Sequence, residues 1–202
     1  MLKIGLTGGM GSGKTQVANI LAEQGASVID TDVVAHQLTA PNGLAMPAIV
    51  DRFGKHMRAA DGSLNRALMR QHVFADSDQR KILESILHPM IAHSVHEKAR
   101  QARGFYIVFV VPLLVETRRW LNEVDRVCVV DCDSETQIER VKKRSGLTTA
   151  EIESILSTQA TREQRQTLAD DMINNGQQAD LGALIKQVLE LHRQWCNLEG
   201  YD

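Results

Sequence analysis

The chain has 202 residues, a formal net charge of −2, three cysteines and an otherwise ordinary globular composition. That length allows one domain with a sizeable core and inserted subdomains, and the near-neutral charge argues against nucleic acid as a partner. No apolar run approaches the ~18 residues that a membrane span requires, so no membrane association is expected.

Met1-Leu2-Lys3-Ile4 runs straight into a strand at about residues 2–7, so no signal peptide is expected. Cys128, Cys132 and Cys196 have no framework spacing, which suits a reducing compartment, and a cytoplasmic location is the expectation. Gly8-Gly9-Met10-Gly11-Ser12-Gly13-Lys14-Thr15 follows the first strand and leads into a helix to about Glu23, which Gly25 stops. A short strand follows at Ser27-Val28-Ile29-Asp30, and Thr39 to Gly43 carries turn chemistry. Residues 47–103 read as helical, with breaks at Ala60-Asp61-Gly62-Ser63 and at Pro89. The apolar runs Phe105–Val111 and Arg126–Val130 read as strands buried on both faces, as in a parallel sheet.

Ser134 and Gln137 resemble a capping box opening a helix through Arg144, and Thr148 with Glu151 opens a second polar helix. Both are poor in apolar residues and read as an exposed arm. A short final strand is expected within 169–176, then a packed helix from Leu181 to Trp195. Strands alternating with helices imply an α/β fold: a parallel sheet of about five strands, flanked by helices, of the P-loop NTPase type.

The glycine-rich segment is G-x-x-x-x-G-K-T between strand and helix, the context in which this pattern binds phosphate. Backbone N–H groups of such a turn form an anion nest, and the following helix adds its positive end. Lys14 can reach the β- and γ-phosphates, and the Thr15 hydroxyl can ligate Mg²⁺. Asp30 and Asp32 flank the end of the second strand, at the sheet edge where ligands of open α/β sheets bind. In an extended segment i and i+2 point the same way, so the two acids could act together, one as base toward an alcohol acceptor.

The strand Phe105–Val111 ends in Pro112 rather than a Mg²⁺-binding Asp, and there is no Asn-Lys-x-Asp sequence. Motor, transporter and GTPase readings therefore fit poorly, and a small-molecule kinase fits better. Arg140 and Arg144 share a helix face; Arg118, Arg119, Arg162 and Arg165 are further candidates to neutralise a transferring phosphoryl group. His88, His93 and His96 have no closed ligand geometry, so no metal site is expected there. Cys128 and Cys132 read as buried inert thiols.

Together these residues resemble the dephospho-coenzyme A kinase family. The resemblance spans nearly the whole chain: Leu6 to Lys14, Ile29-Asp30-Thr31-Asp32, Asn65-Arg66, Leu87-His88-Pro89, Pro112-Leu113-Leu114-Val115-Glu116, Gln137 with Arg140 and Arg144, Gln159, and Ile173-Asn174-Asn175. It implies transfer of the ATP γ-phosphate to the ribose 3′-hydroxyl of dephospho-coenzyme A, giving coenzyme A and ADP, with Mg²⁺ as cofactor. It further implies a nucleotide core at 1–48, 104–138 and 166–202, a helical substrate subdomain at 49–103 and a lid at 139–165.

By matching position, Asp32 is the expected base, and Lys14 and Arg140 stabilise the transferring group. Gly8 through Thr15, Gln16, Arg140 and Asn175 are expected to bind ATP, with Thr15 the Mg²⁺ ligand beside water and phosphates. Asp32, Arg66, His88, Pro89, Leu113 and Glu116 are expected to bind the acceptor, and the chain to act as a monomer or weak homo-oligomer. Thr31 and His36 depart from the family's usual Ala and Arg, and His36 weakens any phosphate contact at its position. The alternatives are a shikimate- or gluconate-type kinase and a non-catalytic nucleotide-binding module; the long helical insert before Phe105, roomy enough for a large acceptor, favours the first reading.

Overall fold

A computed structural model describes residues 1–177 and 179–200. In chain order the elements are β1 (Lys3–Thr7), α1 (Lys14–Glu23), β2 (Ser27–Asp30), α2 (Thr31–Leu38), α3 (Met46–Phe53), α4 (Arg66–Ala75), α5 (Ser77–Arg100), β3 (Ile107–Val110), α6 (Leu114–Thr117), β4 (Arg126–Asp131), α7 (Ser134–Ser145), α8 (Thr149–Ser157), α9 (Arg162–Leu168), β5 (Asp171–Asn174) and α10 (Leu181–Leu198). The chain divides into two compact units, Met1–Asp30 with Ala102–Asp202, and Thr31–Gln101.

The first unit is built on a five-stranded sheet in the order β2-β3-β1-β4-β5, with every pair parallel. The sequence requires this: β3 is Ile-Val-Phe-Val, buried at every position, which only a sheet covered on both faces accommodates. Leu6 and Asp30 both align with Val110, so β1 runs one residue, Thr7, beyond the end of β2. β1 has β3 on one side and β4 on the other, so the loop after it leaves the carboxyl edge at the point where the strand order reverses.

One face of the sheet packs on α1 and α10. Val17, Ala18 and Leu21 of α1 and Leu184, Val188 and Trp195 of α10 are buried at helical spacing against Ile4, Leu6, Val108, Val110, Val130 and Ile173. Gly25 ends α1 as expected, with its N–H on Ala22 and that of Ala26 on Leu21. Gly5 faces the other side, where a Cβ would lie 2.8 Å from Leu114 Cδ1, so α6 packs tightly on β1.

The segment from α7 to α9 differs from expectation in three ways. α7 is capped by Asp133, not Ser134: its carboxylate accepts from the Thr136 N–H and hydroxyl, and Ser134 is already the first helical residue. α7 and α8 pack together, and each buries one aliphatic side chain completely, Val141 and Ile152, so the mostly exposed arm has its own apolar seam. A further helix, α9, opens on a capping box of Thr161 and Gln164 and packs on β4 and α6. The Thr148–Glu151 box that opens α8 is formed as expected.

The second unit is helical. It begins at Thr31 rather than near residue 49, because α2 packs on α5. The break at 60–63 is a tight turn in which Asp61 Oδ1 accepts from the Ser63 N–H at 2.9 Å. Pro89, however, does not break its helix, and α5 runs continuously from Ser77 to Arg100. A proline removes only the one bond its N–H would make to the Ser85 carbonyl. Both residues lie on the exposed side, where that carbonyl can turn to water.

Candidate active site

The glycine-rich loop lies between Thr7 at the end of β1 and Lys14 at the start of α1. Its shape depends on residues far along the chain. Gly13 is left-handed, with φ 97°, and a Cβ there would lie 2.3 Å from Asn175 Nδ2. A Cβ on Gly9 would lie 2.2 Å from Gln137 Nε2. Side chains of α7 and of the segment after β5 therefore sheathe the loop.

Asn175, buried just past β5, is central to that sheath. Its Nδ2 donates to the Ser12 carbonyl at 2.8 Å, and its own carbonyl accepts from Arg140 Nη1 at 2.9 Å. Arg140 is thus half-buried on α7 and fastened to the residue that braces the loop. Arg144, one turn on, is exposed.

Lys14 bends back over the loop, where Nζ donates to the carbonyls of Gly8 at 2.6 Å and Gly9 at 3.0 Å. Thr15 and Gln16 are exposed in the first turn of α1, beside the positive end of the helix. Ser12 is fully buried, and its hydroxyl has no hydrogen-bond partner among the described residues. The Met10 N–H donates to Gln159 Oε1 at 3.0 Å, tying the α8–α9 connector to the loop.

That connector is held twice more. The Ala160 N–H donates to Glu116 Oε1 at 2.8 Å, and the Ala160 carbonyl accepts from Arg165 Nη1 at 2.6 Å. Glu116, expected at the acceptor, thus has one carboxylate oxygen committed to the connector; Leu113, at the end of the loop before α6, is exposed. A cavity of about 470 Å³ opens there, lined in part by Glu116, Arg118, Gln159 and Ala160. Arg162 grips Asp131 at the end of β4, with Nη2 2.6 Å from Oδ2. The hydrogen bonds to Asp131 hold the Arg162 guanidinium above the usual arginine pKa. Sequence reasoning offered Arg162 as a candidate phosphoryl-group cation; here its guanidinium is committed to Asp131, a pairing the sequence did not signal.

Asp32, Arg66, His88 and Pro89 belong to the helical unit. Asp32 is exposed in the first turn of α2. Asp30 closes β2 and Thr31 already opens α2, so the expected i, i+2 pairing of two acids on one extended segment does not apply. Arg66 Nη2 donates to the Thr39 hydroxyl at 2.7 Å, which fixes the start of α4 on the end of α2. His88 is half-buried and Pro89 exposed on α5. Burial pushes the Cys132 thiol up to about 11, and Cys128 rises further for the same reason.

A glycine-rich loop between the first strand of a parallel sheet and a helix, with an exposed hydroxyl at the helix start, places the chain among the P-loop kinases. The family model for dephospho-CoA kinase matches residues 2–180, and the chain belongs to that family. It is 54% identical over 200 residues to the dephospho-CoA kinase of Bordetella pertussis, covering 99% of this chain and 94% of that one. It is 52% identical over 195 residues to that of Burkholderia pseudomallei, covering 96% of each. Among solved structures, a Thermus thermophilus protein superposes with a TM-score of 0.83 at 25% identity, over 96% of each chain.

Proposed function

We propose that the chain transfers the γ-phosphate of ATP to the ribose 3′-hydroxyl of dephospho-coenzyme A. Membership of the family along almost the whole chain carries this reading. The sheathed glycine-rich loop supports the triphosphate half of it: its N–H groups and the start of α1 suit a polyanion.

In the proposed step the 3′-oxygen bonds to the γ-phosphorus, and the bond from that phosphorus to the β–γ bridging oxygen breaks. ADP leaves with the bridging oxygen, and the hydroxyl proton passes to the Asp32 carboxylate. Lys14 leaves its loop carbonyls for the β- and γ-oxygens, and Arg140 neutralises charge near the nucleotide from its seat on Asn175. Gln16 lies beside the same helix start, while Arg66, His88, Pro89 and Leu113 serve the acceptor. The exposed Thr15 hydroxyl is a hard oxygen donor of the type Mg²⁺ takes, so Thr15 would hold that ion, which supplies charge neutralisation at the phosphates.

No helix among the described residues is long and apolar enough to cross a membrane, and three buried free thiols suit the reducing cytoplasm. The test is incubation with Mg²⁺-ATP and dephospho-coenzyme A. One ADP and one phosphate of added mass per acceptor are expected, with adenosine, shikimate and gluconate left unmodified. Phosphorylation of shikimate or gluconate instead would replace the acceptor. Nucleotide binding with no transfer to any alcohol would make the chain a regulatory module.

A further inference from the structure

Arg165 is the most deeply buried arginine or lysine among the described residues, with 8% of its surface exposed. A guanidinium carries five N–H donors. Here one of them, on Nη1, donates to the Ala160 carbonyl, and Nε and Nη2 meet no acceptor among the described residues. Nη2 lies 3.1 Å from where a Cβ on Gly9 would stand, so the fork rests against the second glycine of the loop. Lys14 Nζ bonds to the carbonyl of the same glycine. Two cations thus converge on Gly9. Nε and Nη2 are not among the fully buried unpartnered atoms, so this face of the guanidinium is open to water or to an incoming anion.

Glu116 is the acid nearest in effect, but it makes no ion pair with Arg165. Its Oε1 takes the Ala160 N–H, and its Oε2 is buried without a hydrogen-bond partner. Ala160 is therefore gripped at its N–H by Glu116 and at its carbonyl by Arg165. The acid sets the connector, and the connector aims the guanidinium. Burial draws the Arg165 pKa below the ordinary arginine value, with Glu116 and Asp131 acting in the opposite sense. An arginine remains charged under those conditions.

Resting on the reading that this loop holds a triphosphate, we infer that Arg165 is a second cation of the phosphoryl site and contacts the terminal phosphate. Glu116 is its positioning residue, through Ala160. The guanidinium fork suits two phosphate oxygens at once, and its charge is worth most where negative charge spreads over the transferring group.

The experiment compares wild type, Arg165→Ala, Arg165→Lys and Glu116→Gln. Calorimetry gives affinities for ADP and for the β,γ-imido analogue of ATP, and kcat and KM are measured alongside. For Arg165→Ala, kcat is expected to fall ~10²–10³-fold, and the imido analogue to lose about tenfold while ADP stays within about threefold. Guanidinium ion in the buffer should recover part of the lost turnover. Glu116→Gln is expected to lower kcat about tenfold with the KM for ATP and the ADP affinity unchanged.

An unchanged ratio of analogue to ADP affinity in Arg165→Ala would overturn the inference, as would parallel losses of both affinities and of melting temperature. Those results mark a structural brace. Should Arg165→Ala not fold, the same ratio in Arg165→Lys decides the matter. The ratio involves no acceptor, so a wild type inert toward dephospho-coenzyme A would refute the proposed acceptor and leave this test intact.

Discussion

Gly13 and Asn175 allow the loop's sheath to be measured as a coupling energy. Alanine at position 13 meets two costs. A left-handed backbone with a Cβ is strained by ~1–2 kcal/mol. The new methyl also falls 2.3 Å from Asn175 Nδ2, so the amide must leave and its 2.8 Å bond to the Ser12 carbonyl is lost. A buried acceptor left unpaired costs ~1–3 kcal/mol, so Gly13→Ala should destabilise by ~2–5 kcal/mol. Asn175→Ala loses the same bond, ~1–3 kcal/mol, without the strain.

In the double variant the methyl displaces nothing, because the amide is already gone. The sum of the singles is then ~3–8 kcal/mol against ~2–5 kcal/mol for the double, a coupling of ~1–3 kcal/mol. Urea denaturation of the four proteins without nucleotide measures it. Additivity within ~0.5 kcal/mol would mean that the Asn175 amide does not bear on Gly13 and would refute the reasoning.

Asp32→Asn keeps shape and removes the base, so turnover should fall ~10²–10⁴-fold with ATP affinity little changed; wild-type-like turnover removes Asp32 from the mechanism. Arg140→Ala should lower kcat about tenfold or more and also destabilise slightly, since Nη1 leaves the Asn175 carbonyl; an unaltered rate would make Arg140 a brace alone. His192 bonds through Nδ1 to the buried Tyr106 hydroxyl at 2.9 Å, and burial, then Arg193, holds its pKa below the ordinary 6.5. A depressed folded-state value gives stability that is fully present above pH ~6.5 and is lost as pH falls through the folded value. Melting temperature should therefore drop below about pH 6.5, and His192→Gln should flatten that slope; an equal slope in the variant would assign the loss to other groups.

Much of the fold is legible because its signals are local. The all-apolar β3 fixes a sheet covered on both faces, the 3.6-residue spacing of Leu184 and Val188 fixes a packed final helix, and Thr148 with Glu151 marks a helix start. Errors arise where a local rule meets a neighbour that overrides it. Pro89 carries a breaker's signal, yet one missing bond on an exposed face does not outweigh the turns on either side. Ser134 reads as a cap, but Asp133 before it is extended and a better acceptor for Thr136. In the candidate site the pattern proposes Lys14 and Thr15 because it spans eight consecutive residues. Gln159 and Arg165 carry no such signature, since their positions follow from a connector folded onto a loop some 150 residues earlier.

The same distance explains what the loop's own glycines record. A turn of this length needs a left-handed residue at Gly13, but nothing within the turn forbids a methyl on Gly9. The prohibition comes from Gln137, and at Gly13 the second prohibition comes from Asn175. Both side chains are buried and lie in segments that follow neighbouring strands, α7 after β4 and Asn175 after β5. The glycines are thus one half of a fitted surface whose other half is polar. A loop gripped this way loses little conformational freedom on binding an anion, so the polar residues that crowd it contribute by holding it already folded. Arg140 is already anchored on that surface, and Gln159 ties the α8–α9 connector to the same loop.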